Sequence, residues 1–98
     1  MQLIRPGIAG TVESGDILIE IKKNEAPGVA IELESVVANQ FGGKIREAIT
    51  KALAELDVTN VAVYAVDKGA LDCTIRARVT AAALRGLGQE EYPWKRGE

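Results

Sequence analysis

The sequence predicts an α+β domain: a mostly antiparallel sheet of about five strands with one long and one short helix, in the order β-β-β-α-β-β-α. Three patterns predict it. Apolar and polar residues alternate with period two across Ile8–Glu13, Ile17–Ile21 and Val29–Leu33, as they do in strands with one buried face. Val37, Phe41, Ile45, Ala48, Ile49, Ala52, Leu53 and Leu56 recur at three- and four-residue spacing, which lays an apolar stripe along a helix. Asn60–Val66 is apolar on both faces and reads as a central strand. Helices packed on one face of such a sheet give a layered α+β domain.

Taken in order, the first two strands meet at Glu13-Ser14-Gly15. A three-residue loop suits this join, because Ser14-Gly15 alone would force serine to positive φ. Gly15 then takes the left-handed position of a bulge. Lys22–Gly28 reads as a loop by composition. Ser35 is placed to cap the long helix, and Arg46, Glu47, Thr50, Lys51 and Glu55 fill its wet face. Gly42-Gly43 inside that helix costs about 1 kcal/mol per residue relative to alanine, so close packing or a weak first turn is expected there. Asp67–Ala70 reads as a turn. Cys73, Ile75, Ala77 and Val79 alternate with Thr74, Arg76 and Arg78, predicting a fifth strand. Thr80–Leu87 is alanine-rich and predicts the short helix, and residues 89–98 have no periodicity and read as a mobile tail.

Composition narrows the function. The 98 residues suit one domain. At 47% hydrophobic and 27% charged, the chain is globular rather than disordered. A net charge of −2 and no concentrated basic face argue against nucleic-acid binding. The absence of histidine removes Ser-His-Asp triads, imidazole bases and most zinc sites. The single cysteine, Cys73, excludes an intrachain disulfide and a cysteine metal cluster. Met1–Pro6 lacks the basic start and long apolar stretch of a signal peptide, and no apolar run approaches the roughly 20 residues of a membrane span. These observations set the expectation of a cytoplasmic protein with no membrane partner.

The candidate functional residues lie at the turns. Ser14, at a hairpin tip, presents its hydroxyl outward, where a modifying enzyme can reach it. Unaided, it has no base to make it a nucleophile. Gly15 clears space beside it, and Glu13 and Asp16 flank it, either for solubility or to repel the phosphates of an attached group. Cys73 shares its strand phase with Ile75, Ala77 and Val79, which predicts a buried, inert thiol. Asp67, Lys68 and Asp72 surround the second turn, as surface charge or as an acid–base set. Arg76 and Arg78, two apart on one strand face, are placed to pair across the sheet with Glu20, Glu32 or Glu34 or to bind an anion. Tyr92 and Trp94 are interface-type aromatics.

The segment Ala9-Gly10-Thr11-Val12-Glu13-Ser14-Gly15-Asp16 resembles the prosthetic-group attachment segment of the citrate lyase acyl carrier proteins, the gamma subunits of that complex. Asp67-Lys68-Gly69-Ala70-Leu71-Asp72-Cys73, followed by Arg76-Ala77-Arg78, is similar to a second signature of that family. Gln40-Phe41-Gly42 and Pro93-Trp94 also fit. The resemblance implies an acyl carrier domain over residues 1–88 that is itself non-catalytic. It implies that Ser14 carries a phosphoribosyl-dephospho-coenzyme A arm, derived from triphosphoribosyl-dephospho-coenzyme A and installed by a prosthetic-group transferase. The arm would shuttle acetyl and citryl thioesters between the alpha (transferase) and beta (lyase) subunits, which together split citrate to acetate and oxaloacetate. Glu13, Gly15 and Asp16 would support the attachment turn. Asp67, Lys68, Asp72, Arg76, Arg78 and Trp94 are candidates for partner docking. The helical-bundle acyl carriers attach at Asp-Ser-Leu, which does not occur here. The alternatives are the carrier of a citramalate lyase or malonate decarboxylase, an interaction domain without an arm, and a small enzyme using Asp67, Lys68 and Asp72.

Overall fold

A computed structural model of the chain describes residues 3–88. Four strands and two helices follow in the order β1 (Gly7–Ala9), β2 (Ile17–Lys23), β3 (Val29–Ser35), α1 (Ala38–Glu55), β4 (Val61–Asp67) and α2 (Asp72–Gly86). The expected α+β class is found. The strands lie in the order β1-β2-β4-β3. β2 is antiparallel to β1 and to β4, whereas β3 runs parallel to β4. A parallel pair needs a crossover connection, and α1 supplies it. The run read as a central strand is central: β4 pairs along its whole length on both sides, with Ile17↔Asp67 and Ser35↔Asp67 at its carboxyl end.

Both helices pack on one face of the sheet, α1 over β3 and α2 over β1 and β2, and they also touch each other. The core lies between. Ile17, Ile19 and Ile21 of β2 face Ile45, Ile49 and Leu53 of α1 and Ile75 and Val79 of α2 within one buried cluster. α2 comes so close to β1 that a Cβ added to Gly7 would sit 1.9 Å from the Ala82 carbonyl oxygen. Ala81, Ala82 and Ala83 are buried at this approach. The short edge strand β1 is further tied to α2 by Arg85, whose Nη1 donates to the Ile8 carbonyl at 2.6 Å.

Three expectations change, and one of two alternatives is removed. The fifth strand is absent: Asp72–Val79 is the first half of α2, so the sheet has four strands and the short helix is longer than expected. The β-branched residues favour a strand, but Ile75 and Val79 are four apart and satisfy both a two-residue and a helical period. β1 is three residues long rather than six; it ends where Gly10 turns to φ 94. Ser35 belongs to β3 and does not cap α1 directly; the cap position is Val37, without a side-chain hydrogen bond, and Ser35 Oγ instead accepts the Val37 N–H at 3.1 Å. Close packing at the glycine pair is not found at Gly43, where an added Cβ would meet nothing within 4 Å. The tail of residues 89–98 lies outside the described residues.

Candidate functional site

The site is assembled around the turn Glu13-Ser14-Gly15-Asp16. The Asp16 N–H donates to the Glu13 carbonyl at 3.0 Å, and Gly15 has φ 84. Those are the marks of a type II β-turn with serine at its first corner and glycine where the backbone must go left-handed. Gly15 is also the first residue of a bulge. Its N–H donates to the Lys68 carbonyl at 2.7 Å, and the Lys68 N–H donates to the Asp16 carbonyl at 2.9 Å. Two residues of one strand thus oppose one of the other, with a left-handed glycine leading. The left-handed bulge glycine is as expected, but its partner is the end of β4 rather than β1. The turn therefore hangs from the central strand.

A second set of bonds fixes the turn from the side. The Thr11 hydroxyl donates to Asp16 Oδ2 at 2.7 Å and accepts the Glu13 N–H at 3.2 Å. Asp16 Oδ1 accepts the Ile17 N–H at 2.7 Å. Arg78, reaching from α2, grips the same carboxylate with Nε on Oδ1 at 3.0 Å and Nη2 on Oδ2 at 3.1 Å. The Arg78 hydrogen bonds, with that of Thr11 next, hold the Asp16 carboxyl down at a pKa of about 2. Asp16 is thus a structural anion, already neutralised by Arg78.

Ser14 itself is exposed, and its hydroxyl has no hydrogen-bond partner among the described residues. An added Cβ at Gly15 would meet nothing within 4 Å. The corner is rigid in its backbone and open around its oxygen. A covalently attached group fits this arrangement, because it needs one accessible oxygen and unobstructed space beyond it.

Comparison with known proteins identifies the family. The ACP family model, described as malonate decarboxylase delta subunit (MdcD), matches residues 4–86. The citrate lyase acyl carrier protein of Latilactobacillus sakei is 50% identical over 97% of this chain and 93% of its own length. Citrate lyase acyl carrier protein 2 of Salmonella typhimurium is 47% identical over 96% of this chain and 97% of its own. The chain belongs to the citrate lyase acyl carrier protein family. A crystal structure from Thermus thermophilus shares the fold at a TM-score of 0.50 and 12% identity, over 89% of this chain and 16% of that one. This citrate lyase acyl carrier family member accordingly lacks the helical-bundle architecture of carriers that attach at Asp-Ser-Leu.

The other residues singled out in the sequence fall into two groups. Glu13, Gly15, Asp16, Lys68 and Arg78 come together at the Ser14 turn. Asp67 does not sit on the surface as a docking or acid–base residue. It is 1% exposed, because it ends β4 on the helix-covered side. There its Oδ2 accepts the Ser35 hydroxyl at 2.8 Å and its Oδ1 accepts the Ala70 N–H at 3.0 Å, which shapes the turn into α2. Arg76 and Arg78 do not share a face or pair with Glu20, Glu32 or Glu34. On a helix two residues apart they diverge, and Arg76 pairs with Glu55 at 2.6 Å. Cys73 is exposed rather than buried, again because its segment is helical. Asp72 is an exposed residue in the first turn of α2. Trp94 and Tyr92 lie outside the described residues.

Sequence reasoning misses the Thr11–Asp16–Arg78 network and the Ser35–Asp67 bond. Reading Asp72–Gly86 as a helix would have brought Arg78 toward the first turn, and the run Ala81-Ala82-Ala83 was the available signal. Among the described residues no group of three or more His, Cys, Asp or Glu is placed to hold a metal ion, and no helix is long and apolar enough to cross a membrane.

Proposed function

We propose that this protein is the acyl carrier subunit of a citrate lyase complex, bearing a phosphoribosyl-dephospho-coenzyme A arm on Ser14 and doing no bond-making itself. The observation that supports this most is the Ser14 corner: an unpartnered, exposed hydroxyl on a backbone pinned to the central strand. When bound, the group supplies a terminal thiol able to hold acyl groups as thioesters. The chain supplies the rest. Ser14 Oγ is the phosphodiester oxygen. Gly15 keeps the approach clear for the prosthetic-group transferase. Thr11, Asp16 and Arg78 keep the corner in one conformation, so that the thioester is presented at high local concentration to the alpha and beta subunits in turn.

The test is the intact mass of the protein from its native host, grown while splitting citrate, with any adduct mapped by peptide fragmentation. The expected adduct sits on Ser14 and is absent from a Ser14→Ala variant that keeps the wild-type melting temperature. An unmodified Ser14 from such cells refutes the reading. The family description as malonate decarboxylase delta subunit favours a second reading, the carrier of a malonate decarboxylase. Co-purified partner subunits that decarboxylate malonate and leave citrate intact would select it.

A further inference from the structure

The bulge that pins the Ser14 turn also places a cation beside it. Lys68 lies directly opposite Gly15 and Asp16, joined to them by main-chain bonds of 2.7 and 2.9 Å. Residues so opposed have Cα atoms about 5 Å apart, within reach of the four-carbon stem of lysine for the adjoining corner. The other cations of this region are engaged. Arg78 is held by Asp16, and Arg85 and Arg5 donate to the Ile8 and Arg85 carbonyls. The half-buried Lys68 side chain has no hydrogen bond or ion pair among the described residues. Glu13, exposed in the turn, is not paired with it. Asp16 is compensated by Arg78, and Glu34, which lines the same shallow cleft as Lys68, is engaged by the Tyr64 hydroxyl at 2.8 Å. Lys68 follows the buried Asp67, whose bonds to Ser35 and Ala70 fix the backbone on that side. The position is set by main chain, which leaves the side chain free to answer a ligand.

We infer that Lys68 is the phosphate-binding residue of the attachment site: its ammonium contacts the phosphodiester formed on Ser14 Oγ and the phosphates of the donor that delivers it. This rests on the carrier reading above. In the loading step Ser14 Oγ bonds to the ribose-proximal phosphorus of the triphosphate donor, pyrophosphate leaves, and the hydroxyl proton passes to a base of the transferase or to solvent. Lys68 takes no proton and makes no bond. It is a positioning residue, lowering the electrostatic barrier to bringing a polyanion to a turn that carries the exposed Glu13.

The experiment compares wild type, Lys68→Met, Lys68→Arg and Lys22→Met, a surface lysine near the opposite end of β2. Each is loaded with triphosphoribosyl-dephospho-coenzyme A and the transferase, and followed by intact mass. Each is then taken to full loading for phosphorus NMR. Lys68→Met should load roughly tenfold more slowly at low salt, with the gap closing to roughly twofold at about 0.5 M salt as screening removes the attraction. Lys68→Arg should recover most of the rate, and Lys22→Met should match wild type. The phosphodiester resonance should move in loaded Lys68→Met and stay in place in loaded Lys22→Met. Thermal melts, expected to be unchanged, establish that the variants are folded. If wild type loads and Lys68→Met loads equally fast with an unmoved phosphorus resonance, the inference is wrong while the carrier reading stands. If wild type itself fails to load, the carrier reading falls and takes this inference with it.

Discussion

Replacing Asp16 by asparagine should destabilise the domain in a strongly pH-dependent way. The Asp16 carboxyl titrates at about 2 in the folded chain against 3.8 without these partners. Between those values the unfolded chain binds the proton that the folded chain rejects. The carboxylate therefore contributes its full stabilisation above about pH 4.5 and loses it as the pH falls toward 2. The gap between the two values corresponds to at most about 2.4 kcal/mol. The Asp16 side chain is 15% exposed, but its partner Arg78 is 41% exposed. Solvent screening at that guanidinium reduces the contribution to about 1.5 kcal/mol. Asparagine keeps an acceptor for the Ile17 N–H and removes the charge that Arg78 grips. In urea titrations, Asp16→Asn should be about 1.5 kcal/mol less stable than wild type at pH 6. The difference should shrink to about 0.5 kcal/mol at pH 2.5, where about two-thirds of the contribution is gone. Arg78→Met should behave like Asp16→Asn, and the double variant should add little to either. A gap between wild type and Asp16→Asn that stays constant from pH 6 to 2.5 would refute the network as described, because only an ion pair of depressed pKa gives that convergence.

Two further outcomes follow from packing. Gly7→Ala places a methyl 1.9 Å from the Ala82 carbonyl, forcing α2 off β1; a loss of about 3 kcal/mol or more is expected by chemical denaturation, with Gly28→Ala, at an open turn, costing about 1 kcal/mol. Asp67→Ala leaves the Ser35 hydroxyl and the Ala70 N–H without their acceptor at a buried site, and a loss of about 2 to 3 kcal/mol is expected by the same measurement.

The parts of the fold with a single reading were legible in the sequence. β2 alternates cleanly and buries Ile17, Ile19 and Ile21. The helical stripe of α1 predicts its buried residues from Ile45 to Leu53. Phe41, at the amino end of the same stripe, is 45% exposed. The segment from Asp72 to Val79 is ambiguous for a physical reason. Ile75 and Val79 fit either period, and only Cys73 and Ala77 separate the two, being buried in a strand and exposed in a helix. Choosing the strand also hides the approach of Arg78 to Asp16. Ser14 was legible because glycine and flanking strands mark a turn locally. Its tether to Lys68 was not, because that bond joins segments far apart in the chain and depends on which strand becomes the neighbour of β2.

That tether has a mechanical consequence. β2 and β4 are joined over seven register pairs, and the Ser14 corner extends that ladder past Ile17↔Asp67. A pull applied at Ser14 is therefore taken up as shear along the two innermost strands, the hardest direction in which to unzip a sheet, rather than as peeling of a loose loop. The corner acts as a fixed fulcrum. On the carrier reading proposed above, an arm on Ser14 would sweep a dome whose radius is set by its own length, and the two partner sites it would serve must both fall under that dome.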